Sequence, residues 1–229
     1  MKSKIIAIIP ARGGSKGIKL KNLRKIKGKT LVTIVGNLVS KIKTIDQAVI
    51  STDHKKIANY AIKAGLKFYS FRPKKISGDK ISDTKVLLHA LIQLEKIKNK
   101  KFDIIIMLHP TSPLRSINDI KRSLELIISK KYDSVWTVSK TDTKFHPDKQ
   151  LIIKNDKIKY FTKKGNKVFY RQQLSKVYHR NSNAYIVNRN FFLNKKTLMS
   201  NNSGAYIIKS KQISIDTIDD LETAKKYFK

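Results

Sequence analysis

Lys4-Ile-Ile-Ala-Ile-Ile-Pro-Ala-Arg-Gly-Gly-Ser-Lys-Gly-Ile-Lys-Leu-Lys-Asn22 decides how the rest of the chain is read. Its apolar run stops at Pro10, too early for the apolar region and cleavage site of a signal peptide, so Lys4–Ile9 reads as a buried first strand. The loop behind it, Pro10–Asn22, holds three glycines, a hydroxyl and four cations, with no acid. Backbone N–H groups in such a loop can approach a polyphosphate while Arg12, Lys16 and Lys21 neutralise its charge. The spacing fits neither the P-loop pattern nor the dinucleotide G-x-G-x-x-G fingerprint.

Outward from this strand, short apolar runs alternate with amphipathic segments of helical length, the pattern of an α/β fold with a largely parallel sheet covered by helices. Further strands are expected at Gln47–Ser51, Lys67–Tyr69, Phe102–Leu108 and Ser134–Val138, and helices at Thr30–Ser40, Asp53–Ala64, Thr84–Leu94 and Ser116–Ser129. Asp53 stands where an N-cap belongs and Gly65 where a helix ends, while Ser116 with Asp119 offers a capping-box-like start. From about Thr141 to Lys176 the pattern shifts to short, Lys-rich alternating pieces, an excursion from the main sheet in which Asn155-Asp156 suits a hairpin turn. Strands resume at Ala184–Asn188 and Ala205–Ile208, and Thr217–Tyr227 closes the chain as a helix. The 229 residues are thus read as one domain, with residues 141–176 as its excursion.

Composition narrows the chemistry. With no cysteine, disulfides, thiolate metal sites and a Cys nucleophile are excluded, in keeping with a reducing cytoplasm. No run of apolar residues is long enough for a membrane span. The formal charge of +34 would ordinarily point to nucleic acid, but of 50 basic residues eight are Arg and the other 42 are Lys spread along the chain. That distribution favours a compositional bias toward Lys over a specific nucleic-acid site, and a broad positive field assists capture of anionic ligands in either case. Arg is then worth most where a planar, bidentate fork is needed. Four of the eight Arg, Arg12, Arg72, Arg115 and Arg171, lie in the motifs that follow.

Pro10–Asn22 resembles the signature of the acylneuraminate cytidylyltransferases, the CMP-sialic acid synthetases, in which a strand is followed by P-A-R-x-x-S-K-G-(x)-x-x-K-N. Further segments match in the family's order: Ser51-Thr-Asp53, Phe71-Arg-Pro73 with Ser77 and Asp79, His109-Pro-Thr-Ser-Pro-Leu-Arg115, Tyr170-Arg-Gln172, Asn181 and Ser214-Ile-Asp216. The resemblance spans nearly the whole chain. It implies a Rossmann-like nucleotidyltransferase fold of three layers, with the site at the carboxyl ends of the strands and a homodimer in which the excursion reaches over its partner. It also implies CTP and a nonulosonic-type sugar acid as substrates, with Mg2+ as the cofactor. Arg12, Gly13, Gly14, Ser15, Lys16 and Lys21 would hold the triphosphate, with Asn22, Arg72 and Ser77 near ribose and cytosine. Lys21 is the leading catalytic candidate, a cation placed to follow the charge that grows on pyrophosphate, with Arg12 and Asp216 beside it.

For the sugar, the resemblance points to His109, Arg171 and Gln172, since a guanidinium suits bidentate capture of a carboxylate. Arg115 is read as tying its turn down. The chain departs from the family in three places. His109 stands where Gln is usual, Asn181-Ser-Asn183 replaces N-G-A, and Ser214-Ile-Asp216 replaces a D-x-D whose two carboxylates share a strand face and hold magnesium. Asp216 fits the second carboxylate, and Ser214 would ligate weakly or through water. The sequence therefore leaves three alternatives beside the main reading: activation of legionaminic, pseudaminic or 3-deoxy-octulosonic acid, a catalytically weakened nucleotide-binding homologue, and a polyanion-binding protein.

Overall fold

A computed structural model describes residues 3–228. Ten strands form: β1 Ile5–Pro10, β2 Lys25–Ile26, β3 Lys29–Thr30, β4 Gln47–Ser51, β5 Ile104–Met107, β6 Ser134–Lys140, β7 Leu151–Lys154, β8 Lys157–Tyr160, β9 Tyr178–Asn188 and β10 Ser203–Ile207. Six α-helices accompany them: α1 Leu31–Val39, α2 Lys55–Lys63, α3 Asp83–Lys98, α4 Ile117–Lys130, α5 Arg189–Lys195 and α6 Ile218–Tyr227. The main sheet runs β10-β6-β9-β5-β1-β4, and only β9 is antiparallel to its neighbours.

The first strand shows why this sheet has helices on both faces. In β1 successive side chains point to opposite faces. Ile5, Ala7 and Ile9 pack with Val35 of α1, Ile57 of α2 and Leu124 of α4, while Ile6 and Ile8 pack with Leu91 of α3 and Phe192 of α5. A strand buried on both sides must read as a continuous apolar run, and this one does. A third cluster seats α6 through Leu221 and Ala224 on Ile18, Ile26 and Ile215, and so fastens the loop after β1 to the end of the chain.

Several expected boundaries move for local reasons. The N-cap of α2 is His54, because the Asp53 carboxylate is drawn away to accept from the Gly13 N–H at 2.8 Å. Gly65 follows the last turn of α2 with φ +87°, a left-handed position that glycine takes without strain. The strand expected at Lys67–Tyr69 reduces to a single parallel bridge, Val49 to Lys67, before the chain turns toward the sheet's carboxyl edge. The capping side chain of Ser116 accepts from the Asp119 N–H, as its spacing suggested, and that of Thr217 accepts from the Asp220 N–H. In the excursion β7 pairs with β8, and Asn155 and Asp156 both take positive φ, the conformation a two-residue type I′ turn requires.

Candidate active site

The parallel strands end at one edge, where open α/β sheets place their ligands. A cleft of about 870 Å³ lies there, lined from the loop after β1, the 72–83 segment, the 109–111 turn, β9 and the 214–216 segment. Its two sides differ in chemistry.

On the first side stand the cations of the β1 loop. Arg12 Nη1 and Lys16 Nζ both pair with the Asp79 carboxylate, one on each oxygen, Lys16 at 3.0 Å. These contacts, that to Lys16 foremost, hold the Asp79 pKa below the usual carboxylate range. Lys21 Nζ donates to Asp216 Oδ1 at 2.7 Å. Asn22 is buried and its amide donates to the Arg12 carbonyl at 3.0 Å, which shapes the loop from within. Arg72 is buried at the back of the cleft, where desolvation lowers its pKa and the nearby Asp53 opposes that effect. Its Nε donates to Ser77 Oγ at 3.2 Å, so Ser77 braces Arg72 and does not itself line the cleft.

Two of the loop's glycines stand where a side chain has no room. Gly13 lies against His54, whose ring would stand 2.7 Å from a Cβ, and Gly17 lies under the Asp216 carbonyl, 2.6 Å from a Cβ. Side chains at either position would push the loop off its anchors. Gly14 meets nothing, and Gly13 and Gly14 are absent from the cleft lining, whereas Ser15 and Lys16 belong to it.

On the second side, His109 Nε2 pairs with Asp83 Oδ2 at 3.2 Å, and its ring meets Tyr185 edge-on at 6.0 Å between centroids. Tyr185 packs edge-on against Trp136, and the Arg180 guanidinium lies 5.9 Å from the same indole. Asp83, Arg180 and Tyr185 were not singled out in the sequence. Arg180 was within reach of the argument from scarce Arg, while Asp83 gains its meaning from a histidine 26 positions away. Arg115 is fully buried and its pKa is pushed down to about 9 by desolvation. Its Nη2 donates to the His109 and Ser182 carbonyls, so it ties the turn down. Ser112 Oγ adds a bond to the Ser182 carbonyl at 3.1 Å, and Ser182 takes φ +56°, a left-handed conformation better suited to the glycine of the family's N-G-A.

Arg171 and Gln172 sit on an exposed short turn of the excursion and do not line this chain's own cleft. The 214–216 segment is extended loop rather than strand, yet it keeps the strand's alternation. Ile215 is buried and its N–H donates to the Thr111 carbonyl at 2.8 Å, while Ser214 and Asp216 both face the cleft. Asp219 and Asp220 start α6, where Asp220 Oδ2 accepts from the Asp216 and Thr217 N–H groups. Among the described residues no group of three or more His, Asp or Glu gathers as a metal site. One carboxylate beside one hydroxyl is nonetheless a donor set that suits magnesium, which keeps waters and takes its remaining oxygens from phosphates. Asp216 and Ser214 are the residues that would hold it.

A family model described as cytidylyltransferase matches residues 6–229. The flagellin modification protein B of Campylobacter coli is 32% identical over 206 residues, spanning 90% of this chain and 86% of the relative. The pseudaminic acid cytidylyltransferase of Campylobacter jejuni serotype O:2 is 29% identical over 228 residues, 99% of this chain and 97% of its own. The N-acylneuraminate cytidylyltransferase of Escherichia coli O18:K1:H7 is 29% identical over 229 residues, and the match takes in 52% of that longer protein. Among solved structures, a CMP:2-keto-3-deoxy-manno-octonic acid synthetase complexed with CTP superposes with a TM-score of 0.74 at 15% identity, covering 98% of both chains.

Proposed function

Because this chain belongs to the cytidylyltransferase family, we propose that it transfers CMP from CTP to the anomeric C2 hydroxyl of a sialic-acid-like 2-keto sugar acid, with release of pyrophosphate. The observation that carries this reading is the division of one cleft between a cationic phosphate loop and a wall of mixed polarity. Arg12, Lys16 and Lys21 meet the charge of a triphosphate, while Asp83, Tyr185 and Arg180 offer an acceptor, an apolar face and a guanidinium to a polyhydroxylated acid. Relatives that match this chain over nearly all of their own length include enzymes named for pseudaminic acid, which supports an acceptor from the nonulosonic class.

The residues divide the work as follows. The β1 loop binds the phosphates, Asn22 and Arg72 border the nucleoside, and the second wall orients the sugar so that its C2 hydroxyl faces the α-phosphorus from the side opposite the leaving pyrophosphate. Lys21 lies beside the leaving group and stabilises the charge that grows there. Magnesium, held by Asp216 and Ser214, would neutralise phosphate charge and polarise the phosphoryl oxygens. We place the enzyme in the cytoplasm, where CTP is made available, and in a homodimer. Ile153, Ile158, Phe169 and Tyr170 of the excursion are 72%, 64%, 77% and 70% exposed, more apolar surface than a short hairpin leaves to water without a partner.

The test is pyrophosphate release that requires both CTP and a 2-keto sugar acid. Release without a sugar acid, or with none of a panel of them, would overturn the reading. Lys21→Ala is expected to lower turnover about a hundredfold, the usual cost of one preorganised charge contact of about 3 kcal/mol. Its side chain stands at the cleft and not in the core, so circular dichroism should be unchanged; near-normal turnover would remove Lys21 from the chemistry.

A further inference from the structure

The cleft holds three carboxylates that face a ligand, and two of them are committed to the cations of the phosphate side. Asp79 takes Arg12 and Lys16, and Asp216 takes Lys21. Asp83 is arranged otherwise. It is the first residue of α3, following the N-cap Ser82, whose side chain accepts from the Lys85 N–H and fixes where the helix begins. One oxygen, Oδ2, lies 3.2 Å from His109 Nε2, within ion-pair reach, and among the described residues no hydrogen bond reaches Oδ1. The side chain is 49% exposed, and it lies in the cleft.

The polar atoms of His109 are either buried or turned toward Asp83. The histidine's carbonyl accepts from Arg115, its ring edge rests on Tyr185, and its Nδ1 is buried without a partner. The remaining nitrogen, Nε2, is spent on Asp83. The expectation that His109 itself contacts the sugar therefore gives way to a different arrangement, in which the histidine holds a carboxylate and the carboxylate faces the cleft.

Resting on the function proposed above, we infer that Asp83 is a specificity-determining residue that accepts a hydrogen bond from an N–H or O–H of the sugar acid, and that His109 is the positioning residue that aims it. An ionised carboxylate accepts and never donates. Desolvation works against that ionised form, but His109, Arg180 and Arg72 together keep the Asp83 pKa below its ordinary value. A ligand must then present a donor at Oδ1, as an acylamino or hydroxyl substituent does. A carbonyl at the same place sets acceptor against acceptor and a carboxylate meets like charge, while Arg180 on the same wall draws the acid end of the sugar elsewhere. Turning the carboxylate away from a mismatched ligand would give up its contact with His109, so the mismatch is felt.

The experiment measures pyrophosphate release by wild type, Asp83→Ala, His109→Phe and His109→Gln, with KM determined separately for CTP and for N-acetylneuraminic, pseudaminic and 3-deoxy-octulosonic acids. Asp83→Ala is expected to raise the KM of the preferred sugar acid about tenfold or more and to leave the KM for CTP within about twofold. His109→Phe keeps the packing on Tyr185 but loses the donor, and should follow it. His109→Gln restores an N–H donor and should stay within about threefold of wild type. An unchanged sugar KM in Asp83→Ala, or a CTP KM that rises in step with it, overturns the inference. His109→Gln as impaired as His109→Phe overturns the positioning role. A wild type that works on none of the acids overturns the proposed function together with this inference, whereas an active wild type with unaffected variants overturns this inference alone.

Discussion

Asp79 would compete with the ligand proposed for its neighbours. Its carboxylate bridges Arg12 and Lys16, the two cations proposed to engage a triphosphate, and the phosphates would have to displace it. Exposed pairs of this kind are weak, so their loss is a small but measurable cost of binding. Asp79→Asn is therefore expected to tighten CTP binding about twofold to tenfold by isothermal titration. Weaker binding would mean that Asp79 shapes the loop for its ligand instead of competing with it. At this scale the family resemblance singled out Arg12, Lys16, Lys21, Asn22, Arg72, His109, Ser214 and Asp216, which the fold brings to one cleft, because each belongs to a short motif that can be read locally. Asp83, Arg180 and Tyr185 carry no such motif. They become a group only when α3, the 109 turn and β9 are brought together, and a single sequence does not display that meeting.

Elements were legible where one periodicity governed a whole segment. The apolar run of β1 and the amphipathic spacing of α1 and α4 gave their positions to within a residue or two, since burial alone decides them. Where tertiary contacts decide, the reading fell short. The first three residues of β9 are exposed, and Tyr178-His-Arg-Asn181 has no strand-like apolar pattern; it extends because β6 supplies a partner. The seven-residue α5 is likewise held from outside. Arg189 at its start donates from Nε and Nη2 to the two oxygens of Glu95 on α3, each at 2.7 Å, and Glu95 also accepts from the Phe102 N–H that leads into β5. Three elements thus converge on one carboxylate. Desolvation would raise its pKa, but the bonds from Arg189 and Phe102 bring it below the ordinary value of 4.5. A native pKa lowered in this way gives stability that is present above the unfolded value and is lost as pH falls through the native one. Glu95→Gln should accordingly cost about 1–2 kcal/mol in urea unfolding at neutral pH, the range of a bidentate charged bond that is largely shielded from water. The gap between variant and wild type should close as the pH drops below 4.5 toward the lowered native value. A gap that stays constant with pH would assign the loss to packing.

At the scale of the whole molecule, the position of Arg171 tests whether the site belongs to one chain or to two. The turn that carries Arg171 and Gln172 is exposed and lies outside this chain's cleft, beside the apolar side chains Phe169 and Tyr170. A guanidinium that serves the reaction from there must serve another subunit's cleft, and in a two-fold dimer each excursion would reach the opposite site. Two consequences are separable. Replacing Ile153 and Ile158 together by Lys leaves the core untouched, since both are exposed in the single chain, and light scattering should show a dimer converted to monomer. The sharper test mixes two inactive variants. In Lys21→Ala the cleft is damaged while Arg171 is intact; in Arg171→Ala the cleft is intact while the reaching side chain is lost. If Arg171 acts on its own chain, subunit exchange between them yields no working site. If it acts across the dimer, every mixed dimer holds one cleft with Lys21 from one chain and Arg171 from the other. Random pairing makes half the dimers mixed, so pyrophosphate release should recover to about a quarter of the wild-type value. Recovery that fails while light scattering shows exchange to be complete would return Arg171 to the solvated surface and leave Arg180 as the guanidinium of the sugar wall.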